Sequence, residues 1–182
     1  ANGEIISVGV SGGSGGEGYL FYKNANVPVW NLRDSGIYSL NPPILSLSAD
    51  GRYTATFGLD KIYLLDNINF SQIWNYTSGT NVSDWFYHAA ISADGGYIAA
   101  STSFNLYFFD KYSNTPRWSY EFTREALVRE IAISSDGDYI AAAVGDSVYC
   151  FSKNHSTPLW NYTGLWTSDV AISADGKYVV SN

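Results

Sequence analysis

The sequence contains one cysteine, Cys150, and no methionine at all. A lone cysteine permits no intrachain disulfide and no cysteine metal cluster. Lys and Arg together number 10 against 17 Asp and Glu, for a net charge of −7. That balance argues against a nucleic-acid partner, which needs a basic face to neutralise phosphates, and against an anionic membrane surface. No apolar run approaches the roughly 18 residues of a membrane-spanning helix. Helical periodicity is missing as well. Residues 121–130 alone have a helix-friendly composition, and that stretch is too short to be convincing. Position 1 is not methionine and no signal peptide is evident, so the chain is expected to be processed or excised from something longer.

What is present points to a folded domain. Hydrophobic residues make up 46% and aromatics 16%, with 15 tyrosines, in 182 residues, enough for a sizeable core. Tyrosine favours half-buried strand positions. A phrase recurs along the chain: Ser48-Ala49-Asp50-Gly51, Ser92-Ala93-Asp94-Gly95, Ser134-Ser135-Asp136-Gly137 and Ser173-Ala174-Asp175-Gly176, with a worn copy at Asn2-Gly3. The glycines are spaced by 48, 44, 42 and 39 residues. A period near 40 to 50 fits a four-stranded propeller blade.

Each unit reads alike. A short strand of small and β-branched residues, such as Ala89-Ala90-Ile91, leads into the Asp-Gly turn, where glycine takes the positive φ of a tight hairpin. A second strand follows, then an aromatic third such as Leu106-Tyr107-Phe108-Phe109, then a fourth carrying Trp30, Trp74, Trp118 or Trp160. Small inner-strand residues suit blades converging on an axis. The repeated Trp suits a wedge between neighbouring blades. The expected fold is all-β: a β-propeller of four-stranded antiparallel blades, about four repeats plus one surplus strand. Residues 1–182 read as one repeat region, with units near 1–36, 37–80, 81–123 and 124–163 and a partial unit at 164–182.

The chain resembles WD40-like, YVTN-like and PQQ-like propeller repeats over nearly its whole length. Gly176-Lys177-Tyr178-Val179-Val180-Ser181-Asn182 is similar to the turn and second strand of YVTN-type archaeal surface-layer repeats. Phe109-Asp110-Lys111-Tyr112-Ser113-Asn114-Thr115-Pro116-Arg117-Trp118 is similar to the tryptophan-docking segment of PQQ-type repeats, without their usual Thr-Gly pair. The Trp-Asp pair of true WD40 blades is absent. The whole is most similar to archaeal surface or secreted propellers.

Second strands number five against four of every other kind, since residues 5–9 and 178–181 both qualify. Three readings follow. The chain is a segment of a larger propeller, or it closes as four blades with a frayed terminus, or the surplus strand pairs with another copy.

Few residues invite chemistry. Trp85, Leu127 and Trp166 occupy matching positions in the loops between units, and the two tryptophans lie outside the blade pattern. Exposed, they would stack on sugars or anchor a protein; otherwise they cap the interior. Three residues on stand His88, Glu130 and Asp169, with Ile44 in the remaining unit. A metal there is weighed against a solvated polar rim, and the rim is favoured, with no metal or cofactor expected. Ser11 to Gly18 reads as a flexible Gly-rich hairpin loop and not a phosphate loop, since no helix follows. No nucleophile elbow occurs, and Cys150 lies in an apolar strand, so no catalytic residue is expected. Sequons at Asn69, Asn75, Asn81, Asn154 and Asn161 exceed chance modestly and favour a secreted or cell-surface glycoprotein.

The expected function is a non-enzymatic platform, extracellular or on the cell surface, recognising protein or glycan. The alternative is a structural subunit of a surface layer or extracellular filament joined by strand pairing. A redox or hydrolytic enzyme of PQQ-like ancestry stands third.

Overall fold

The computed structural model describes residues 4–12, 15–35, 37, 44–79, 81–123, 126–164 and 166–182. They form antiparallel sheets in chain order. The first holds β1 (Ile5–Gly12), β2 (Gly15–Tyr22) and β3 (Trp30–Asn31). The second holds β4 (Leu45–Leu47), β5 (Tyr53–Gly58), β6 (Lys61–Asp66) and β7 (Ser71–Thr77). The third holds β8 (His88–Ile91), β9 (Tyr97–Ser101), β10 (Asn105–Asp110) and β11 (Trp118–Glu121). The fourth holds β12 (Val128–Ile133), β13 (Tyr139–Val144), β14 (Ser147–Ser152) and β15 (Trp160–Thr163), and the fifth β16 (Val170–Ile172) and β17 (Val179–Ser181). The chain is all-β, and three of its sheets are four-stranded meanders. Among the described residues the helical segments are 3-10 turns at Leu32–Ser35 and Val82–Asp84.

The repeated phrase builds one turn four times over. In the fourth sheet, Ser134 Oγ donates to Asp136 Oδ1 at 2.6 Å and accepts from the Tyr139 amide at 3.0 Å. The same Asp136 oxygen accepts from the Asp138 amide at 2.9 Å. Gly137 closes the turn with φ at 73°. Ser48, Ser92 and Ser173 make the same bonds to Asp50, Asp94 and Asp175 and to the amides of Tyr53, Tyr97 and Tyr178. Serine and aspartate are needed because both must reach backbone donors a few residues on.

These turns also join the sheets. The amide of Ala49 donates to Ala93 O (2.7 Å), that of Ala93 to Ser135 O (2.9 Å), and that of Ser135 to Ala174 O (3.0 Å). Below each bond a tyrosine ring lies against the next sheet's turn glycine: Tyr53 under Gly95, Tyr97 under Gly137, Tyr139 under Gly176. Further out, Trp74 Nε1 donates to Lys111 O at 2.9 Å and Trp118 Nε1 to Lys153 O at 3.0 Å. The same two lysines carry their ammonium groups over the rings of Tyr53 and Tyr97. Core clusters accordingly lie between successive sheets: Leu64, Trp74, Ile98 and Phe109 between the second and third, Phe108, Ile131, Ile140 and Phe151 between the third and fourth.

Two expectations need correction. The wedge pattern fails at Trp160, which is 43% exposed against 8% for Trp74, because β16 and β17 lack the third strand that covers the others. Ser11, Gly12 and Gly15 to Gly18 are strand and not loop, since the ladder from Ile5↔Tyr22 continues to Gly12↔Gly15 and glycine backbone pairs without help from side chains. The helix-friendly stretch forms no helix in its described residues, as expected: Glu121 ends β11 and Val128 begins β12, while residues 124 and 125 lie outside the described residues. The described strands do not close a ring: β1 pairs with β2 and β17 with β16, leaving the surplus strand on its own sheet.

The turns make stability acid-sensitive. The hydroxyls of Ser134 and Ser173, with the amides beyond them, hold Asp136 and Asp175 below the ordinary aspartate range. At Asp50 burial pushes upward, but the Ser48 hydroxyl and Arg52 amide outweigh it. Depressed carboxyls contribute stability that is complete above the unfolded value of about 4 and is lost as pH falls through the folded values. Resistance to urea should therefore fall steadily below about pH 4, and Asp136→Asn should flatten that acid limb while lowering stability at neutral pH.

Candidate functional site

The most chemically distinctive surface lies where the loops before β12 and β16 meet. Thr167 anchors the second loop: it is 2% exposed, and its hydroxyl donates to Ser147 O at 3.4 Å. Ser168 N donates to Asn182 O at 3.1 Å. Between the fourth strand and this anchor, Trp166 is thrown outward and is 70% exposed. The Arg129 guanidinium lies over its ring, 4.8 Å from the centroid. Arg129 reaches it because β12 is irregular there. Val128 pairs with Val144 and Glu130 with Ala143, so Arg129 is the extra residue of a bulge. A bulge re-aims the side chain it carries.

Arg129 Nε is buried without a hydrogen-bond partner, and among the described residues no carboxylate lies within ion-pair distance of this guanidinium. A cleft of about 370 Å³ opens beside it, lined by Tyr87, His88, Ser103, Leu127, Val128 and Arg129. Leu127, 45% exposed, sits at its lip, and its carbonyl accepts from the Gly145 amide at 3.1 Å.

His88 and Glu130 come together. His88 Nδ1 lies 3.5 Å from Glu130 Oε2, and Glu130 Oε1 accepts from the Ile131 amide at 3.0 Å. Burial pushes the Glu130 carboxyl upward, but His88 and that amide outweigh it and hold Glu130 below the ordinary range. Asp169 does not join them. It is exposed, and its carbonyl accepts from Ser181 Oγ at 2.8 Å. Among the described residues no group of three His, Cys, Asp or Glu is placed to hold a metal ion. Ile44, at the matching place in the second sheet, is 40% exposed.

No family model matches the chain, and no curated protein matches it significantly.

Trp85 departs from Trp166. It follows the 3-10 turn at Val82–Asp84 and is half-buried beside Phe86, which is 2% exposed. The two tryptophans sit on loops two sheets apart, and among the described residues no ring contact joins them. Cys150 is buried in β14, and burial pushes its thiol up, away from reactivity. Of the sequon asparagines, Asn69, Asn81, Asn154 and Asn161 are exposed, while Asn75 is half-buried in β7. Sequence reasoning missed Arg129 and Tyr87. No residue identity signals the one-residue bulge in β12 that carries Arg129.

Proposed function

We propose that the chain is a non-enzymatic platform of propeller type, extracellular or on the cell surface, that recognises a protein or glycan. One observation carries this: an indole 70% exposed, with a guanidinium across one face and an open cleft alongside. An exposed tryptophan costs solubility and contributes little to folding, so its value lies in contact with something else. The open face of Trp166 suits the C–H face of a sugar or an apolar side chain. The Arg129 guanidinium, over the indole and beside the cleft, offers charge and N–H donors to a hydroxyl, carbonyl or carboxylate, and the His88–Glu130 pair offers further polar contacts.

The test is a glycan array and a cell-surface binding assay with wild type, Trp166→Ala and Arg129→Ala. Trp166→Ala should weaken binding at least about tenfold, and Arg129→Ala by a similar factor, with melting temperature nearly unchanged. Binding that survives both substitutions removes the site assignment. Trp85→Ala, at a half-buried position, should lower stability instead of binding.

A second reading, a structural subunit of a surface layer or extracellular filament joined by strand pairing, is favoured by the open edges of β1 and β17.

A further inference from the structure

Among the described residues the fourth sheet and the first leave apolar faces uncovered, and the faces are opposite halves of the interface repeated inside the chain. On the fourth sheet, Trp160 is 43% and Tyr162 61% exposed. With Val148, Trp166, Val179 and Ser181 they line a cleft of about 400 Å³. A second cleft, about 370 Å³, runs from Tyr139 past Trp160 to Gly176. In the two preceding interfaces, the place of these clefts is filled by the third strand of the next sheet, through Tyr107, Phe109 and Lys111 or through Tyr149, Phe151 and Lys153.

The first sheet carries that same triplet. Trp30 pairs with Leu20 as Trp118 pairs with Phe108 and Trp160 with Cys150. By that register Tyr19, Phe21 and Lys23 are the counterparts of Tyr107, Phe109 and Lys111. Cross-strand pairing puts Ile6 opposite Phe21 and Val8 opposite Tyr19, as Ile98 lies opposite Phe109 and Ala100 opposite Tyr107. Ile98 and Ala100 are buried against the preceding sheet. Ile6 and Val8 are 47% and 38% exposed.

The lysine makes the match specific. Where a sheet has a turn tyrosine, the next sheet supplies a lysine over it: Lys111 for Tyr53 and Lys153 for Tyr97. The first sheet has Ile5 at that place, and the second has Asn67 where the lysine would be. Tyr139 restores the tyrosine, and among the described residues no cation covers its ring. Lys23 is the one lysine of that register position not already used this way inside the chain; it pairs instead with Glu4 at the exposed corner of β1.

We infer that the Trp160 face of one copy docks the Ile6, Val8 and Phe21 face of a second copy, head to tail. This rests on the second reading above and supplies its surfaces. In the joint, Phe21 and Tyr19 fill the cleft over Trp160 and Tyr162, the Lys23 carbonyl accepts from Trp160 Nε1, and its ammonium covers Tyr139. β1 and β17 are both second strands and compete for one place beside β16. β17 yields, since it holds three residue pairs on β16 whereas β1 holds eight on β2. A head-to-tail joint uses different faces on each copy, so it propagates.

The test mixes two variants of the chain, Ile6→Lys with Val8→Lys on one face, and Trp160→Lys with Tyr162→Lys on the other. All four side chains are exposed, and unchanged circular dichroism and melting curves verify that each variant folds. In sedimentation experiments wild type should self-associate increasingly with concentration. Each variant alone should associate at least about tenfold more weakly. An equimolar mixture should form a two-copy species and nothing larger, because one good donor face meets one good acceptor face. Amides of Val179 to Ser181 should lose protection from hydrogen exchange on association. A monomeric wild type would overturn the subunit reading and this inference together, whether its Trp160 is shielded by the chain itself or left open. Association that both variants leave intact would overturn these faces and keep the subunit reading.

Discussion

Replacing Trp74 by alanine should cost about 3–5 kcal/mol of stability, read as a lower urea midpoint, while Trp160→Ala should cost under about 1 kcal/mol in dilute solution. The two tryptophans occupy one repeat position and differ in surroundings. Trp74 is 8% exposed, its ring centroid lies 5.3 Å from that of Phe109, and its Nε1 donates to Lys111 O at 2.9 Å. Truncation opens a cavity between the second and third sheets and leaves that carbonyl without its indole donor, so transfer, cavity and hydrogen-bond terms all fall on one side. Trp74→Phe should recover most of the packing and still lack the bond, at a cost of about 1–2 kcal/mol. Trp160 has no third strand over it, since the fifth sheet holds β16 and β17 alone, and it is 43% exposed. Most of its area is never removed from water in the isolated chain, so its removal forfeits little. The contrast also separates stability from assembly. If Trp160 is a docking residue, its substitution should leave the melting curve of dilute protein alone and act on the concentration dependence of mass.

The turns were readable in the sequence because their physics is local. Ser134, Asp136 and Tyr139 lie within six residues, and each bond among them is dictated by side-chain reach and by the positive φ of Gly137. Strand order followed from the same signals, since each hairpin is short. What joins the sheets was readable only in part: the repeated tryptophan marked the wedge at Trp74 and Trp118, but the backbone ties did not show. The bond from Ala49 N to Ala93 O spans one whole repeat and uses only backbone atoms, which leave no trace in residue identity. The site was half legible. Residue type marked Trp166 and His88, and alignment of the repeats marked Glu130. Arg129 was invisible because a one-residue bulge, and not its identity, carries it to the Trp166 ring. Asp169 shares the repeat position of His88 and Glu130 but stands apart, exposed just before β16.

Gly137→Ala should be about as damaging as losing a core aromatic, near 3 kcal/mol, whereas Gly51→Ala in the equivalent turn should cost about 1 kcal/mol. Both glycines have nearly the same backbone, φ at 73° and 74°. An L-residue pays a similar conformational cost at each, so that part cancels in the comparison. The difference lies beneath the turn. A Cβ on Gly137 would stand 2.4 Å from Tyr97 Cδ2 and 2.9 Å from Cγ, inside the ring's own packing radius. Tyr97 cannot retreat: its ring stacks on Phe108 with centroids 5.6 Å apart, and the Lys153 ammonium lies over it. A Cβ on Gly51 meets Ile5 at 3.4 Å, an ordinary contact. The turn of the fourth sheet must therefore shift as a body, and with it the Ala93 N to Ser135 O bond that ties it to the third. A double-mutant cycle with Tyr97→Ala measures this directly. If the steric account is right, Gly137→Ala should cost about 1 kcal/mol in the Tyr97→Ala background, leaving a coupling of about 2 kcal/mol. Equal costs for Gly137→Ala with and without the Tyr97 ring would show that backbone strain alone selects glycine at this turn, and that the tyrosine beneath it is a passive neighbour.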